Sequence, residues 1–352
     1  MKRALSAFAA LSLISGAVQA HYQSDRPDSH APISVMGDHV HGAGEWMLSY
    51  RYMGMAMSGA RSGSESLSTA EAFAEIPGMG PMNMKALPYE MDMEMHMLGA
   101  MYAPTDSLTL MAMLPYATRQ MTTRTRMTMM MGTMESEFDT ETEGFGDVGL
   151  SALYQIWDGQ GYRLHLNLGV GLPTGSIDEK DFVPMQGRNI QLPYAMQSGS
   201  GSYELRPGVT LNKQYASWSW GAQAGARLAV DDNDQGYRLG SRRHLSVWAA
   251  KPVAPWVSLS LAAYKTWWSD IHGSAEDLTI SPRMNPAADP DARGGQRLDV
   301  GVGINLLGRH GALKGHRLAF EYRAPLHQSL HGPQMETDHS FTLGWQKAFG
   351  GR

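Results

Sequence analysis

The chain has 352 residues, no cysteine, 39 glycines and a formal net charge of -5 at neutral pH. Without cysteine nothing can be stapled by disulfides, so stability must come from a large sheet or core, and the mildly negative balance argues against a nucleic-acid partner, which calls for a strongly basic face. A hydrophobic fraction of 43% leaves membrane residence open, because half of a barrel's residues face water.

The first residues, Met1-Lys2-Arg3, lead into an apolar run from Ala4 to Val18 that closes on Val18-Gln19-Ala20. This follows the small-residue rule at a signal-peptidase site, so residues 1–20 read as a secretory signal removed from the mature protein. The run is shorter than the ~20 residues that cross a bilayer as a helix, and no later segment approaches that length. Any membrane insertion of the mature chain must therefore use strands. Residues 21–44, with Pro27, Pro32 and four histidines, lack periodicity and read as a periplasmic N-terminal segment.

From Glu45 the pattern changes to strict alternation. The clearest instance is Tyr162 to Pro173, where Tyr162, Leu164, Leu166, Leu168, Val170 and Leu172 form one row and Arg163, His165, Asn167, Gly169 and Gly171 the other. Successive strand side chains point to opposite faces, so the row is apolar on one side and polar or small on the other. Comparable segments recur about a dozen times at roughly ten residues each, the signature of a transmembrane β-barrel.

Strand one spans 45–57, with Trp46, Leu48, Tyr50 and Tyr52 on its outer row, and a long loop follows. Strand two, 91–103, turns at Ala103-Pro104-Thr105-Asp106 into strand three, 107–119, with Leu108, Leu110, Ala112, Leu114 and Tyr116 outward. A polar, Met-rich loop leads to strand four, 146–156, which turns at Asp158 to Gly161 into the segment quoted above. After a loop at 174–202, strand six carries Tyr203, Leu205, Val209 and Leu211. Strand seven, 217–230, ends at an acidic turn, Asp231 to Asp234, before strand eight, 242–250. Strand nine, 256–266, precedes a Pro-, Asp- and Gly-rich loop at 267–296. Strand ten alternates through Leu298, Val300, Val302, Ile304 and Leu306, strand eleven through Leu318, Phe320 and Tyr322, and strand twelve, 338–349, through Phe341, Leu343, Trp345 and Phe349.

Connections after strands one, three, five, nine and eleven are long and those after the even strands short; only the one after strand seven breaks the alternation. Bacterial outer-membrane barrels have short periplasmic turns, long outer loops and an even strand number. The expectation is an all-β chain whose residues 45–349 form a transmembrane antiparallel barrel of about twelve strands with both termini periplasmic, and residues 350–352 a C-terminal extension.

Two motifs now stand out. Gly144-Phe145-Gly146-Asp147-Val148-Gly149-Leu150, followed by Tyr154, and Gly169-Val170-Gly171-Leu172-Pro173-Thr174-Gly175 resemble paired signatures of outer-membrane proteins named for the meta-pathway of phenol degradation. The resemblance implies an outer-membrane channel, in a Gram-negative bacterium, for small and often aromatic molecules. The same residues also have a purely structural reading: glycines let strands approach closely, and a Pro-Thr-Gly cluster ends a strand at a rim.

The inward rows supply candidate pore-lining residues: Arg51, Arg119, Arg163, His165, Asn167, Glu204, Arg206, Gln223, Arg227, Arg297, Asp299, Arg317, Glu321 and Arg323. Charges lining a pore set which ions pass, and an excess of arginine favours anions. The competing reading pairs these arginines with the acids in ladders that fill a narrow lumen, plugged in part by the N-terminal segment or loops.

Of 26 methionines, 21 lie between Met36 and Met134. Thioethers suit Cu(I) and imidazoles bind copper too, so His39, His41, Met91, Met93, Met95, His96 and Met97 are candidate metal ligands, with copper the one implied cofactor. Two registers stay open. Either the sulfurs of Met91 to Met97 face inward, or they lie in lipid as flexible filler. A barrel hydrolase is the remaining alternative, because His244 and Ser246 share a strand face. The reading favoured by the sequence is a channel for anionic or aromatic solutes, not an enzyme, with outer-membrane lipid and a small molecule as its partners.

Overall fold

A computed structural model describes residues 22–350, so the expected signal and residues 351–352 lie outside the described residues. Among the described residues no helix is long and apolar enough to cross a membrane. The architecture is one large antiparallel sheet that closes on itself. Its strands are β1 (Trp46–Gly63), β2 (Lys85–Thr105), β3 (Leu108–Met129), β4 (Val148–Gly159), β5 (Tyr162–Leu172), β6 (Glu204–Gln214), β7 (Ser219–Ala229), β8 (Arg242–Ala254), β9 (Val257–Trp268), β10 (Gly295–Leu307) and β11 (His316–Phe349). Each pairs with the next, and β11 pairs back with β1.

Strand direction alternates around an all-antiparallel ring, so the ring closes only with an even number of staves. Eleven segments satisfy this because β11 reverses on itself. Its residues 317–330 run antiparallel to β10 and its residues 330–349 antiparallel to β1. Gly332 sits at the bend with φ +65°. Across the hairpin the Trp345 indole donates to His316 Nδ1 at 3.0 Å and Arg317 donates to Gln346 at 2.7 Å. Counted by its two arms, the barrel has twelve staves.

The polarity of the wall is the reverse of a water-soluble protein. Leu168, Leu261 and Val302 are more than half exposed on the outside, whereas His165, Thr210, Ser258 and Glu321 are fully buried inside. An apolar outer band over a polar interior is the arrangement that lipid selects. The outward rows read from the sequence are the ones observed for Trp46, Leu48 and Tyr50, for Leu150 and Tyr154, and for Leu318, Phe320 and Tyr322.

Two expected loops are structured differently. β2 and β3 run for 21 and 22 residues, about twice the 9–11 a bilayer requires. The expected Met-rich loop after strand three is a hairpin: β3 continues to Met129, and Gly132–Phe145 returns along it in unbroken register. Its stability is legible in hindsight, since β-branched threonines alternate along β3 and ion pairs such as Arg126 to Glu135, at 2.8 Å, tie the arms. β3 consequently pairs with β4 only over Leu108–Met113. The connection between the arms of β11, expected to be long, is a tight turn, because both arms extend further than the apolar alternation marks.

Facing sets the cost of substitution. Leu168→Arg places a guanidinium on the lipid side and should cost about 2 to 4 kcal/mol in urea-dependent folding into liposomes. A cost near zero would show that the outer face of β5 has been assigned to the wrong medium.

Candidate functional site

Residues 22–44 are not a free extension outside the barrel. They enter the lumen, where Pro27, Ala31, Ile33, Val35, Asp38 and Val40 are buried. An irregular segment carries backbone carbonyls that no strand partner satisfies, and each left bare would be costly. Inward side chains take them up. Ser258 donates to the Pro27 carbonyl at 2.7 Å, Arg317 to Ala31 at 2.6 Å, Arg51 to Ile33 at 3.2 Å, Gln223 to Met36 at 2.9 Å, His165 to Gly37 at 2.9 Å and Asn212 to Asp38 at 2.8 Å. The Ser34 N–H donates to Glu321 at 3.0 Å. Ala31 and Val35 pack on Trp248, Ala262 and Tyr264. The segment is thus a plug held from six different strands. Within it, burial first and then Arg317 and His39 push the His30 imidazole well below its ordinary value.

Above the plug lies a cavity of about 580 Å³. Its floor is Ser34 to Gly37, and its roof comes from Tyr194, Gln197 to Ser200 and Leu239 of the long connections. One wall presents Met95, Met97, Met111 and Met113, with Arg119 further along the strand of the last two, and the other Arg206, Arg227, Arg242, His244 and Arg323. The methionine register is settled by β2 itself: Leu98 is 57% exposed on the outside, whereas Met91 and Met101 are 2% and 5% exposed within.

The cationic wall is only half neutralised. Glu204 lies between Arg206 at 2.8 Å and Arg227 at 2.9 Å, and Asp299 between Arg297 at 2.8 Å and Arg323 at 2.9 Å. Each carboxylate thus faces two guanidiniums. Arg119 has a buried Nη1 with no hydrogen-bond partner among the described residues. A chamber with surplus fixed positive charge and a soft, polarisable opposite wall is suited to a molecule that has both an anionic group and an apolar body.

Residues 90–306 match the family described as "Putative MetA-pathway of phenol degradation". The chain belongs to this family. Among solved structures it is similar to the COG4313 outer membrane channel from Pseudomonas putida F1, with 14% identity and a TM-score of 0.57 over 90% of this chain and 99% of that one. It is also similar to the P. putida toluene transporter TodX, at 9% identity and a TM-score of 0.44 over 89% and 92% of the two chains. The first likeness shows the fold, that of an outer-membrane β-barrel. No curated protein matches the chain.

In this member of the phenol-degradation family, the two signature motifs meet at one junction. The Asp147 carboxylate accepts from the Gly175 N–H at 3.0 Å and from the N–H and hydroxyl of Ser200 at 2.8 and 2.6 Å. Thr174 accepts from the Val148 N–H at 2.9 Å. Gly175 and Gly199 lie backbone to backbone: a Cβ on Gly175 would come within 2.7 Å of the Gly199 Cα. The motifs therefore pin the roof connection to the rim of β4 and β5.

The other expected residues separate by role. Arg51, Arg317, His165, Asn167, Gln223 and Glu321 bind the plug. Arg163 pairs with Asp158 at 3.0 Å across the turn between β4 and β5. The expected metal set is not assembled. His96 faces outward against the Tyr50 hydroxyl at 2.7 Å, Met91 is packed beneath the roof with Met121 and Met196, and His39 and His41 sit in the plug. His244 and Ser246 both face the cavity, and among the described residues no hydrogen bond joins them or ties His244 to a carboxylate. Arg242, Met111 and Met113 were missed as site residues; a plug formed by the N-terminal segment was among the readings, but its place beneath the cavity was not. Arg242 opens its strand beside a turn, and nothing in the order of residues aims residues 34–37 at a cavity.

Removing the carbonyl donors should loosen the plug. The double variant Arg51→Ala, Arg317→Ala leaves the Ile33 and Ala31 carbonyls bare, at about 1–3 kcal/mol each. It should show faster proteinase K cleavage within residues 22–44 and a larger single-channel conductance. If neither changes, these arginines do not hold the segment.

Proposed function

We propose that the protein is an outer-membrane channel for small molecules, selective for anions that carry an apolar or aromatic body. The observation that carries this reading is the cavity with guanidiniums on one wall and thioethers on the other. Guanidinium forks bind carboxylates in a bidentate way, and thioether sulfur makes favourable contacts with aromatic rings. A volume of about 580 Å³ falls within the usual range of small-molecule sites. Outer-membrane barrels keep their short turns in the periplasm, which puts both termini and the plug entrance on that side and the roof connections outside. Passage then requires the plug to shift, the roof connections to part, or both.

The alternative assigned by soft-ligand chemistry is copper handling. Four thioethers on one wall favour it, and Cu(I) bound after purification but lost in the triple variant Met93→Leu, Met95→Leu, Met97→Leu would support it over solute passage.

In planar bilayers the protein should pass anions in preference to cations, and benzoate faster than an uncharged aromatic alcohol of equal size. Arg227→Gln with Arg242→Gln should shift the reversal potential toward zero and cut benzoate flux severalfold while leaving the neutral solute unchanged. Equal benzoate flux in variant and parent would overturn the anion preference.

A further inference from the structure

The plug carries a cluster of side chains that faces away from the solute cavity. His30, Asp38 and His39 offer two imidazole nitrogens and a carboxylate oxygen that lie within 4.8 Å of one another. The His39 ring centroid is 4.7 Å from that of His30 and 4.7 Å from that of His41. We propose that these residues form a site for a divalent first-row transition ion, zinc or copper(II), and that the ion staples the two ends of the plug loop together.

Three observations support the site. First, it is preorganised. The Ala31 N–H donates to the Asp38 carboxylate at 2.9 Å and closes the loop 31–38, while Gly37 takes the left-handed conformation, φ +62°, that the turn needs. Arg317 and Asn212 hold the carbonyls at the loop's two ends. His30 and His39, remote in a flexible chain, are fixed side by side.

Second, ring nitrogens are left without partners. Among the described residues His30 Nδ1 and His41 Nε2 are buried without a hydrogen-bond partner, and His41 is only 6% exposed. Buried ring nitrogens normally find one. Moreover, His41 Nδ1 lies 3.3 Å from the Glu45 carboxylate. A carboxylate on one ring nitrogen that leaves the other free is the orientation histidine adopts as a metal ligand.

Third, the cluster is reachable. Its imidazoles line a vestibule of about 1000 Å³ at the end of the barrel that carries both termini. Imidazoles with one carboxylate suit zinc or copper(II), while Mg²⁺ and Ca²⁺ call for oxygen donors and Cu(I) for sulfur. The site is therefore chemically distinct from the methionine wall. Because the loop it would close contains Met36 and Gly37, which floor the cavity, an ion would stiffen that floor; this consequence, unlike the site itself, rests on the channel reading.

Protein purified in detergent and stripped with a chelator should bind one zinc per chain in calorimetric titration. His30→Ala and His39→Ala should each weaken binding by about tenfold or more, and His272→Ala, remote from the cluster, should not. Copper(II) in place of zinc gives a readout that does not depend on stability: its paramagnetic resonance should show nitrogen coupling that loses one nitrogen in His39→Ala while the variant keeps the gel mobility of the folded barrel. Absence of stoichiometric binding, or binding unchanged in both alanine variants, overturns the site. Zinc should also lower the conductance of the parent but not of His39→Ala. Ion bound with conductance unaltered overturns the staple, whereas a metal-free protein with no conductance at all counts against the channel alone.

Discussion

In hydrocarbon no water is available to satisfy a backbone N–H or carbonyl, so a sheet that meets lipid must close and leave no edge. Most features of this chain follow from that constraint. Closure of an antiparallel ring demands an even number of staves, which is why the last strand folds back on itself before it meets β1. Closure also fixes the alternation, since every second residue must face acyl chains and the rest must face whatever fills the ring. The constraint then passes inward. A lumen lined by serine, asparagine, glutamine and arginine has many donors to satisfy, and the plug answers with a row of bare carbonyls. Wall and plug are each other's hydrogen-bond partners.

That exchange explains why the arginines divide into two populations. Arg51 and Arg317 face carbonyls and amides, and no carboxylate lies in their first contacts. They fix a segment in place. Arg206, Arg227, Arg297 and Arg323 instead share two carboxylates and keep half their charge uncompensated. Of these, Arg206, Arg227 and Arg323 line the cavity together with Arg119 and Arg242. Counting inward arginines from the sequence merges the two groups and overstates the selectivity element.

The barrel itself was legible because period-2 alternation has one physical cause, the two faces of a strand, and that cause acts residue by residue. Leu164 to Leu172 announces its facing without any knowledge of neighbours. The upper hairpin was not legible, because Thr122 to Met129 and Gly132 to Glu143 stand beyond the apolar band, where neither face is required to be greasy and alternation fades. A plug formed by the N-terminal segment was legible only as one of two readings, and its contacts were hidden for a different reason. Residues 22–44 have no periodicity because their partners are side chains scattered around the whole barrel, at separations of up to 287 residues, as between Ser34 and Glu321. The pairing of Asp147 with Gly175 and Ser200 is equally non-local, though the motifs that hold it were visible. The scattered metal set shows the limit in the other direction: spacing brought Met91 to Met97 onto one face, yet it put His96 on the opposite one.

The methionines lie where wall, plug and roof meet. A plug and a set of folded-in connections meet the regular wall at irregular gaps, and an unbranched, flexible thioether fills such gaps better than leucine or valine. Near the termini Met47, Met101 and Met111 pack with Leu153 against Val40 of the plug, and near the roof Met57, Met91 and Met121 pack against Val183, Ile190, Leu192 and Ile280. Between these two contacts the same face of β2 and β3 meets neither plug nor roof. There Met95, Met97 and Met113 line the cavity. The filler role and the lining role, which compete when only the sequence is considered, therefore hold at different heights of one wall, and the cavity exists because two inserted segments stop short of each other along it.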